Sequence, residues 1–143
     1  MQSIDRTNNI SLIIPAQNAH VKLFKLLRLI PEWSEFPNEI IIIDSSKNLK
    51  LKVPEDFKLF AKKFQIKLLV IHGDNLYPGH TRNIGITNAT NLLLAFLDTS
   101  TYPKKEWLSQ NLKILGKNNS DGVWGSTYYS ANTYPTKIFR ACT

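Results

Sequence analysis

Three apolar segments of the chain run without alternating hydrophobic and polar residues, and each ends at a polar side chain. They occupy residues 10–18, 39–44 and 91–98. Continuous apolar runs of this length are typical of strands that are buried on both faces of a parallel sheet. Ligands of such sheets bind beyond the carboxyl ends of the strands. The pattern therefore predicts that Asn18, Asp44 and Asp98 meet at one edge of the sheet.

Predicted helices alternate with these strands. Apolar residues at steps of three indicate a helix over residues 20–30, and Pro54 with two acidic residues begins a second helix over 54–64. The remaining predicted elements are a strand at 67–71, helices at 80–91 and 103–115, and a strand at 122–129. This order predicts an α/β fold, a Rossmann-like, doubly wound, mostly parallel sheet with right-handed connections. Trp107 and Trp124 are expected in its core.

Composition narrows the class of protein. A chain of 143 residues is expected to form one domain or part of one. No apolar run approaches the roughly 18–20 residues of a membrane span, and the N-terminus lacks the apolar core of a secretory signal. The one cysteine, Cys142, has no partner for a disulfide within the chain. Together these features predict a cytoplasmic protein.

The net charge of +7 bears on possible partners. Seven of the eighteen basic residues are lysines between the second and third apolar runs, at positions 47, 50, 52, 58, 62, 63 and 67. Solvated surface charge is the ordinary interpretation. The alternative is a basic face that holds the protein peripherally at the inner face of the cell membrane, or against a polyanionic acceptor. No nucleic-acid motif is visible, so no nucleic-acid partner is predicted.

Two strand-end carboxylates are candidates for ligand binding. Asp44 could accept hydrogen bonds from a ribose or a base N–H, or could cap the following turn through Ser46 or Lys47. Asp98 is a charge at the boundary of the core, which a metal ion or a cationic partner would stabilise. Its alternative role is to cap the loop that leads to Ser100. Both interpretations stay open for each residue.

Arg82 is the basic candidate, because it stands near the start of a predicted helix. Helix N-termini offer free N–H groups, and a guanidinium adds a forked donor for a phosphate or a base carbonyl. The alternative is a surface ion pair with a nearby acid. The three histidines lack metal-ligand spacing. Neither a dinucleotide glycine motif nor a Walker sequence follows the first strand, so the common dinucleotide and P-loop functions are disfavoured.

Five segments taken in order resemble the family 2 glycosyltransferases, inverting enzymes with the GT-A fold. These segments are residues 11–18, 39–46, 79–85, 94–100 and 103–108, with matching order and spacing from about Ile10 to Leu115. The resemblance implies transfer of a sugar from a nucleoside diphosphate sugar, linked to uridine or thymidine. It further implies a cell-surface saccharide or lipid acceptor, as in polysaccharide biosynthesis.

The resemblance also implies roles for particular residues. Pro15 and the residues after it, Gln17 and Asn18, would frame the nucleotide pocket, although Gln17 stands where an aromatic residue is common. Asp44 would lie on the uracil or ribose side, and Arg82 near the base and ribose.

The resemblance also implies a metal-binding role for the end of the third apolar run, residues 91–98. Asp98 corresponds to the first acid of the family's Asp-x-Asp motif, which holds Mg²⁺ or Mn²⁺ against the diphosphate. Ser100 replaces the second acid, so the metal site of this chain would have Asp98 and Ser100 as its protein groups. The ion would act as a Lewis acid on the leaving nucleotide.

Family members continue into an acceptor-binding half that carries a general base. The one later acid, Asp121, is expected in a turn, so no residue of this chain is assigned as the base. Residues 1–143 are therefore interpreted as one incomplete nucleotide-sugar-binding domain without the acceptor-binding half. A non-catalytic nucleotide-sugar-binding fragment or assembly module is the alternative function, and nucleotidyl transfer is a third. Open sheet edges would also allow a homo-oligomer.

Overall fold

The computed structural model describes residues 10–118 and 121–126. Within them lie four strands, β1 (Ile10–Ala16), β2 (Glu39–Asp44), β3 (Lys67–His72) and β4 (Leu93–Phe96). The helices are α1 (His20–Leu29), α2 (Glu55–Lys63), α3 (Pro78–Asn88) and α4 (Trp107–Asn118), with a 3₁₀ turn at Ile30–Glu32. The strands pair in the order β3-β2-β1-β4, and every pair is parallel. The predicted α/β, Rossmann-like architecture is confirmed.

Helices cover both faces of this sheet, as the direction of its connections requires. The steps from β1 to β2 and from β2 to β3 run the same way, so right-handed connections place α1 and α2 on one face. There Leu23 of α1, Phe57 of α2 and Leu108 of α4 belong to one buried cluster. The step from β3 to β4 runs back across the sheet, and α3 accordingly packs Ile84 on the opposite face.

The first two apolar runs read from the sequence are buried as expected, but in the third run Leu92, Leu94 and Phe96 are exposed, because β4 is an edge strand of the sheet. The four isoleucines of β2, residues 40–43, have no exposed surface, because side chains on both faces of this central strand are covered by helices. β-branched residues suit this environment, since their restricted side chains pack well on a pleated surface. The sequence pattern therefore identified the centre of the core correctly.

Helix α3 lies unusually close to the sheet, and Gly85 makes this approach possible. A Cβ atom at Gly85 would overlap Cγ2 of Ile13 and lie 3.0 Å from Cδ1 of Ile43. The helix begins at Pro78 rather than at the predicted His80, because proline is favoured at the first position of a helix. None of the helices among the described residues is both long enough and apolar enough to cross a bilayer.

Two expectations about the C-terminal part are corrected. Residues 122–126 form no strand, and residues 127–129 of the predicted strand lie outside the described residues. Trp124 is 96% exposed instead of buried, and the neighbouring Gly125 lies close to the Trp107 ring. Trp107 itself is half-buried and stacks at a tilt on Trp33, with 5.6 Å between the ring centroids.

A buried carboxylate ties together the amino edge of the sheet. Glu39 accepts hydrogen bonds from Ser11 Oγ at 2.6 Å and from the Thr90 amide at 2.9 Å, and it pairs with Lys67 Nζ at 2.7 Å. Burial alone would raise the pKa of Glu39. Hydrogen bonds from Lys67, Ser11 and Thr90 outweigh that effect and lower the pKa to about 2. Glu39 is therefore ionised and links β1, β3 and the loop before β4.

Candidate functional site

The loops after β1, β2 and β4 lie at the same edge of the sheet, because all three strands are parallel neighbours. In the register of the sheet, Ala16 stands opposite Asp44, and Ile13 stands opposite Phe96. The chain leaves β1 toward β2 and later returns to the other side of β1 as β4. Such a reversal is a topological switch point, where open α/β sheets commonly bind ligands.

A cleft of about 440 Å³ opens at this switch point. Gln17 and Asn18 line it from the loop after β1, and Thr99 and Ser100 line it from the loop after β4. His20 and Lys22 complete one wall at the start of α1. Pro15, in contrast, lies within β1 opposite Ile43 and is not among the lining residues. Gln17, Asn18 and Ser100, which the sequence predicted as site residues, thus form one concave surface, whereas Arg82 and Asp98 are not among its lining residues.

The loops after β1 and β2 are connected by direct hydrogen bonds. Asn18 adopts a left-handed backbone conformation with φ of 49°, which asparagine tolerates better than most residues. Its amide donates to Ser46 Oγ at 2.8 Å, and the Ser45 amide donates to the Ala16 carbonyl at 2.8 Å. These bonds fix Asn18 in place beside the cleft.

Arg82 and Asp98 form an ion pair at this edge. Arg82 projects from the second turn of α3, and its Nη2 donates to Asp98 Oδ1 at 2.6 Å. Both side chains are partly exposed, so the pair contributes little to stability. Among the described residues, Asp98 Oδ2 has no hydrogen-bond donor. The structure therefore brings together two of the three predicted charged residues and leaves them accessible to a ligand.

Asp44 belongs to a hydrogen-bond network that is separate from the Arg82–Asp98 ion pair. It is buried, and its Oδ1 accepts the Ser46 amide at 3.0 Å, while Oδ2 accepts the Leu51 amide at 2.7 Å. His72 Nδ1 lies 3.0 Å from the same Oδ2. Burial would raise the pKa of Asp44, but the hydrogen bonds from Leu51, Ser46 and His72 outweigh it and lower the pKa. The capping role that the sequence left open is the one that the structure displays.

His72 also lies at the carboxyl edge of the sheet, although the sequence pattern assigned it no role in the site. It ends β3 directly opposite Asp44, so strand register could have identified it once the sheet order was known. Its partly exposed ring borders a second groove of about 580 Å³, which lies along β3 and the first turn of α2. This groove is lined mainly by Leu51, Val53, Leu68 and Val70.

The metal-binding prediction can be compared with the available donors. No cluster of three or more histidine, cysteine, aspartate or glutamate residues occurs within residues 10–118 and 121–126. Asp98 and Ser100 lie on the same exposed loop, where they offer one carboxylate and one hydroxyl. Mg²⁺ is often held by one or two carboxylates together with phosphate oxygens of the substrate. The donor set fits such an ion when a diphosphate supplies the remaining ligands.

Comparison with curated proteins finds distant relatives that transfer sugars. Glycosyltransferase AglE from Haloferax volcanii is 24% identical over 128 residues, which are 88% of this chain and 40% of AglE. The poly(ribitol-phosphate) beta-N-acetylglucosaminyltransferase TarS from Staphylococcus aureus is 24% identical over 115 residues, 78% of this chain and 19% of TarS. The chain thus spans less than half the length of these relatives.

Solved structures share the fold. Residues 1–349 of TarS in complex with UDP superpose with a TM-score of 0.60 at 21% identity, covering 85% of this chain and 38% of that one. The mannosyltransferase PcManGT from Pyrobaculum calidifontis, in complex with GDP-Man and Mn²⁺, gives a TM-score of 0.60 at 19% identity. The superposed region covers 75% of this chain and 32% of the PcManGT chain.

The family assignment follows from a match along most of the sequence. The model of glycosyl transferase family 2 matches residues 11–138, which include β2, β3, β4, all of β1 after Ile10, and the cleft between β1 and β4. The resemblance inferred from five short segments is confirmed. This chain belongs to glycosyl transferase family 2.

Proposed function

We propose that this chain forms the donor-binding part of a glycosyltransferase that uses a nucleoside diphosphate sugar. The observation that carries the proposal is the accessible Arg82–Asp98 pair beside a cleft at the topological switch point. The cleft volume falls within the roughly 300–1,000 Å³ of ordinary ligand pockets. Related structures with UDP, UDP-GlcNAc or GDP-Man support a nucleotide sugar as the ligand class.

The charges of the cleft suit a diphosphate. Arg82 offers a forked donor to phosphate oxygens, and the first turn of α3 adds N–H groups and partial positive charge. Asp98 would repel a diphosphate unless a cation lay between them. Asp98 and Ser100 would hold Mg²⁺ or Mn²⁺, which when bound would stabilise the negative charge of the leaving nucleotide.

Asp44 acts in this proposal mainly as a positioning residue. By accepting the amides of Ser46 and Leu51, it fixes the loop whose Ser46 hydroxyl holds Asn18 at the cleft. Direct contact between Asp44 and a uracil or ribose, which the family resemblance implies, stays a prediction. Uridine or thymidine as the donor nucleoside, and a saccharide or lipid as the acceptor, are also proposals.

Calorimetric titration of UDP in the presence of Mg²⁺ tests the donor site. Arg82→Ala and Asp98→Ala should each weaken binding about tenfold or more, because each removes a charged partner of the diphosphate–metal unit. Removal of Mg²⁺ should weaken the wild type but leave Asp98→Ala nearly unchanged. Glu32→Gln, in the 3₁₀ turn after α1, is the control and should bind like the wild type. Equal affinities for all four proteins would contradict the assignment.

A non-catalytic nucleotide-sugar-binding module is the second candidate, favoured by the hydroxyl of Ser100 where the resemblance implies a carboxylate. It requires UDP binding without sugar transfer or donor hydrolysis, so turnover by this chain would exclude it. Cytoplasmic location, peripheral membrane association and homo-oligomer formation stay predictions.

A further inference from the structure

The two faces of the sheet differ sharply in charge. Helices α1, α2 and α4 share one face, and they carry eight basic residues and two acidic ones. The basic residues are Lys22, Lys25, Arg28, Lys58, Lys62, Lys63, Lys113 and Lys117. On the opposite face, α3 has Arg82 as its one lysine or arginine, and Arg82 pairs with Asp98. Positive charge is therefore concentrated on the layer formed by α1, α2 and α4, called here the basic layer.

The basic side chains of this layer point away from the core. In α1, Leu23, Leu26 and Leu27 are buried, whereas Lys25 and Arg28 are exposed. This helix has no acidic residue, and the order of the strands beneath places it between α2 and α4. The centre of the layer is consequently its most positive part.

The acids of the layer do little to offset that charge. Glu55 and Asp56 both lie in the first turn of α2, where a helix N-terminus stabilises negative charge. Glu55 is also paired with Lys58 at 2.5 Å. Lys62 and Lys63, at the other end of α2, have no acidic partner within the described residues. Most of the positive charge is therefore available to an external partner.

Exposed apolar side chains are interspersed among these basic residues. Each helix presents one of them, Val21 on α1, Leu59 on α2 and Ile114 on α4, which are 68%, 67% and 46% exposed. A soluble polyanion would gain little from such side chains. A bilayer with anionic headgroups interacts with both the basic and the apolar side chains, because lysines attract the headgroups while apolar side chains enter the membrane interface.

We infer that the basic layer is a docking surface for an anionic lipid bilayer. The helices lie along the face of the sheet, so a protein docked in this way directs the cleft at the carboxyl edge along the membrane surface. The inference extends the proposed function to a location, and only Val21 and Lys22 of the residues named for this surface also line the cleft. A failed donor assignment would not affect it.

Sedimentation with lipid vesicles at physiological salt tests this inference. The wild type should bind vesicles of phosphatidylglycerol and phosphatidylcholine and should not bind phosphatidylcholine alone. Replacing Lys25, Lys62 and Lys113 with Gln, one lysine from each helix, should lower the partition coefficient about 100-fold, from about fivefold for each lysine. The control replaces Lys47, Lys50 and Lys104 with Gln, which removes the same charge from loops outside the three helices. It should bind almost like the wild type.

A second comparison separates a lipid surface from a soluble polyanion. Val21→Ser, Leu59→Ser and Ile114→Ser combined should weaken vesicle binding, and inorganic polyphosphate should compete poorly. The inference is overturned by absence of binding to the anionic vesicles, or by equal losses in the two lysine triple variants. It is also overturned if the protein binds polyphosphate as tightly as it binds the anionic vesicles and the triple serine variant binds these vesicles like the wild type. Unchanged UDP affinity in the Lys25, Lys62, Lys113 variant would show that donor binding is independent of this surface.

Discussion

At the scale of single residues, the two buried carboxylates of β2 organise the backbone, whereas the carboxylate of Asp98 is exposed. Asp44 and Glu39 are both buried at opposite ends of β2, and each accepts at least one backbone amide. Asp98 is exposed and meets Arg82 instead. The sequence could not separate these roles, because a capping carboxylate and a ligand-binding carboxylate look identical at the end of an apolar strand.

Glu39 gives the protein a pH-dependent contribution to stability. Its pKa is lowered from 4.5 to about 2 in the folded chain. A carboxyl group with a lowered pKa stabilises the fold fully above its unfolded pKa, and the contribution is lost as pH falls through the folded value. We expect Glu39→Gln to lower the free energy of unfolding by about 2–3 kcal/mol at pH 7.

Chemical denaturation across the acidic range would check this expectation. The difference between the wild type and Glu39→Gln should shrink as the pH falls from 5 toward 2. Glu32→Gln is the control, since the Glu32 carboxylate makes no hydrogen bond among the described residues, and it should match the wild type within about 0.5 kcal/mol. A difference for Glu39→Gln that stays constant with pH would show that the network depends on shape and not on charge.

At the scale of elements, the strands of the sheet were visible in the sequence as apolar runs, which at 10–18, 39–44 and 91–98 contain β1, β2 and β4. Burial on both faces explains the continuous hydrophobic signal of β1 and β2, whereas Leu94 and Phe96 of β4 are partly exposed. Helix α3 has only a weak pattern, since Pro78 and Gly79 also suit a loop. The contact of Gly85 with Ile13 depends on the tertiary structure, and no local pattern could reveal it.

Gly85 gives a direct test of how α3 packs on the sheet. In an exposed helix, Gly→Ala is expected to stabilise by up to about 1 kcal/mol. At Gly85 the added methyl group would collide with Ile13, so we expect destabilisation of about 1–3 kcal/mol. Gly79→Ala is a control in the same helix, because a Cβ there meets no atom within 4 Å. Equal denaturation midpoints for the two variants would contradict the close packing of α3.

At the scale of the whole molecule, topology explains how residues far apart in sequence reach one place. Because β4 returns beside β1, the loop that contains Asp98 is brought to the loop that contains Asn18. From the sequence, the meeting of these two loops was predicted from the order of the strands alone. A surface ion pair with a nearby acid was the alternative that the sequence left open for Arg82, but the sequence did not identify Asp98 as that acid. Two oppositely charged side chains that are each predicted to bind a ligand can instead form an ion pair with each other when they are neighbours.

The most direct test of the account is to locate bound UDP on the isotopically labelled chain by amide chemical shifts in the presence of Mg²⁺. The account predicts that the largest changes occur at Gln17 and Asn18, at the first turns of α3 and at residues 98–100. Changes confined to the groove lined by Leu51, Leu68 and Val70, or the absence of changes at millimolar UDP, would contradict it.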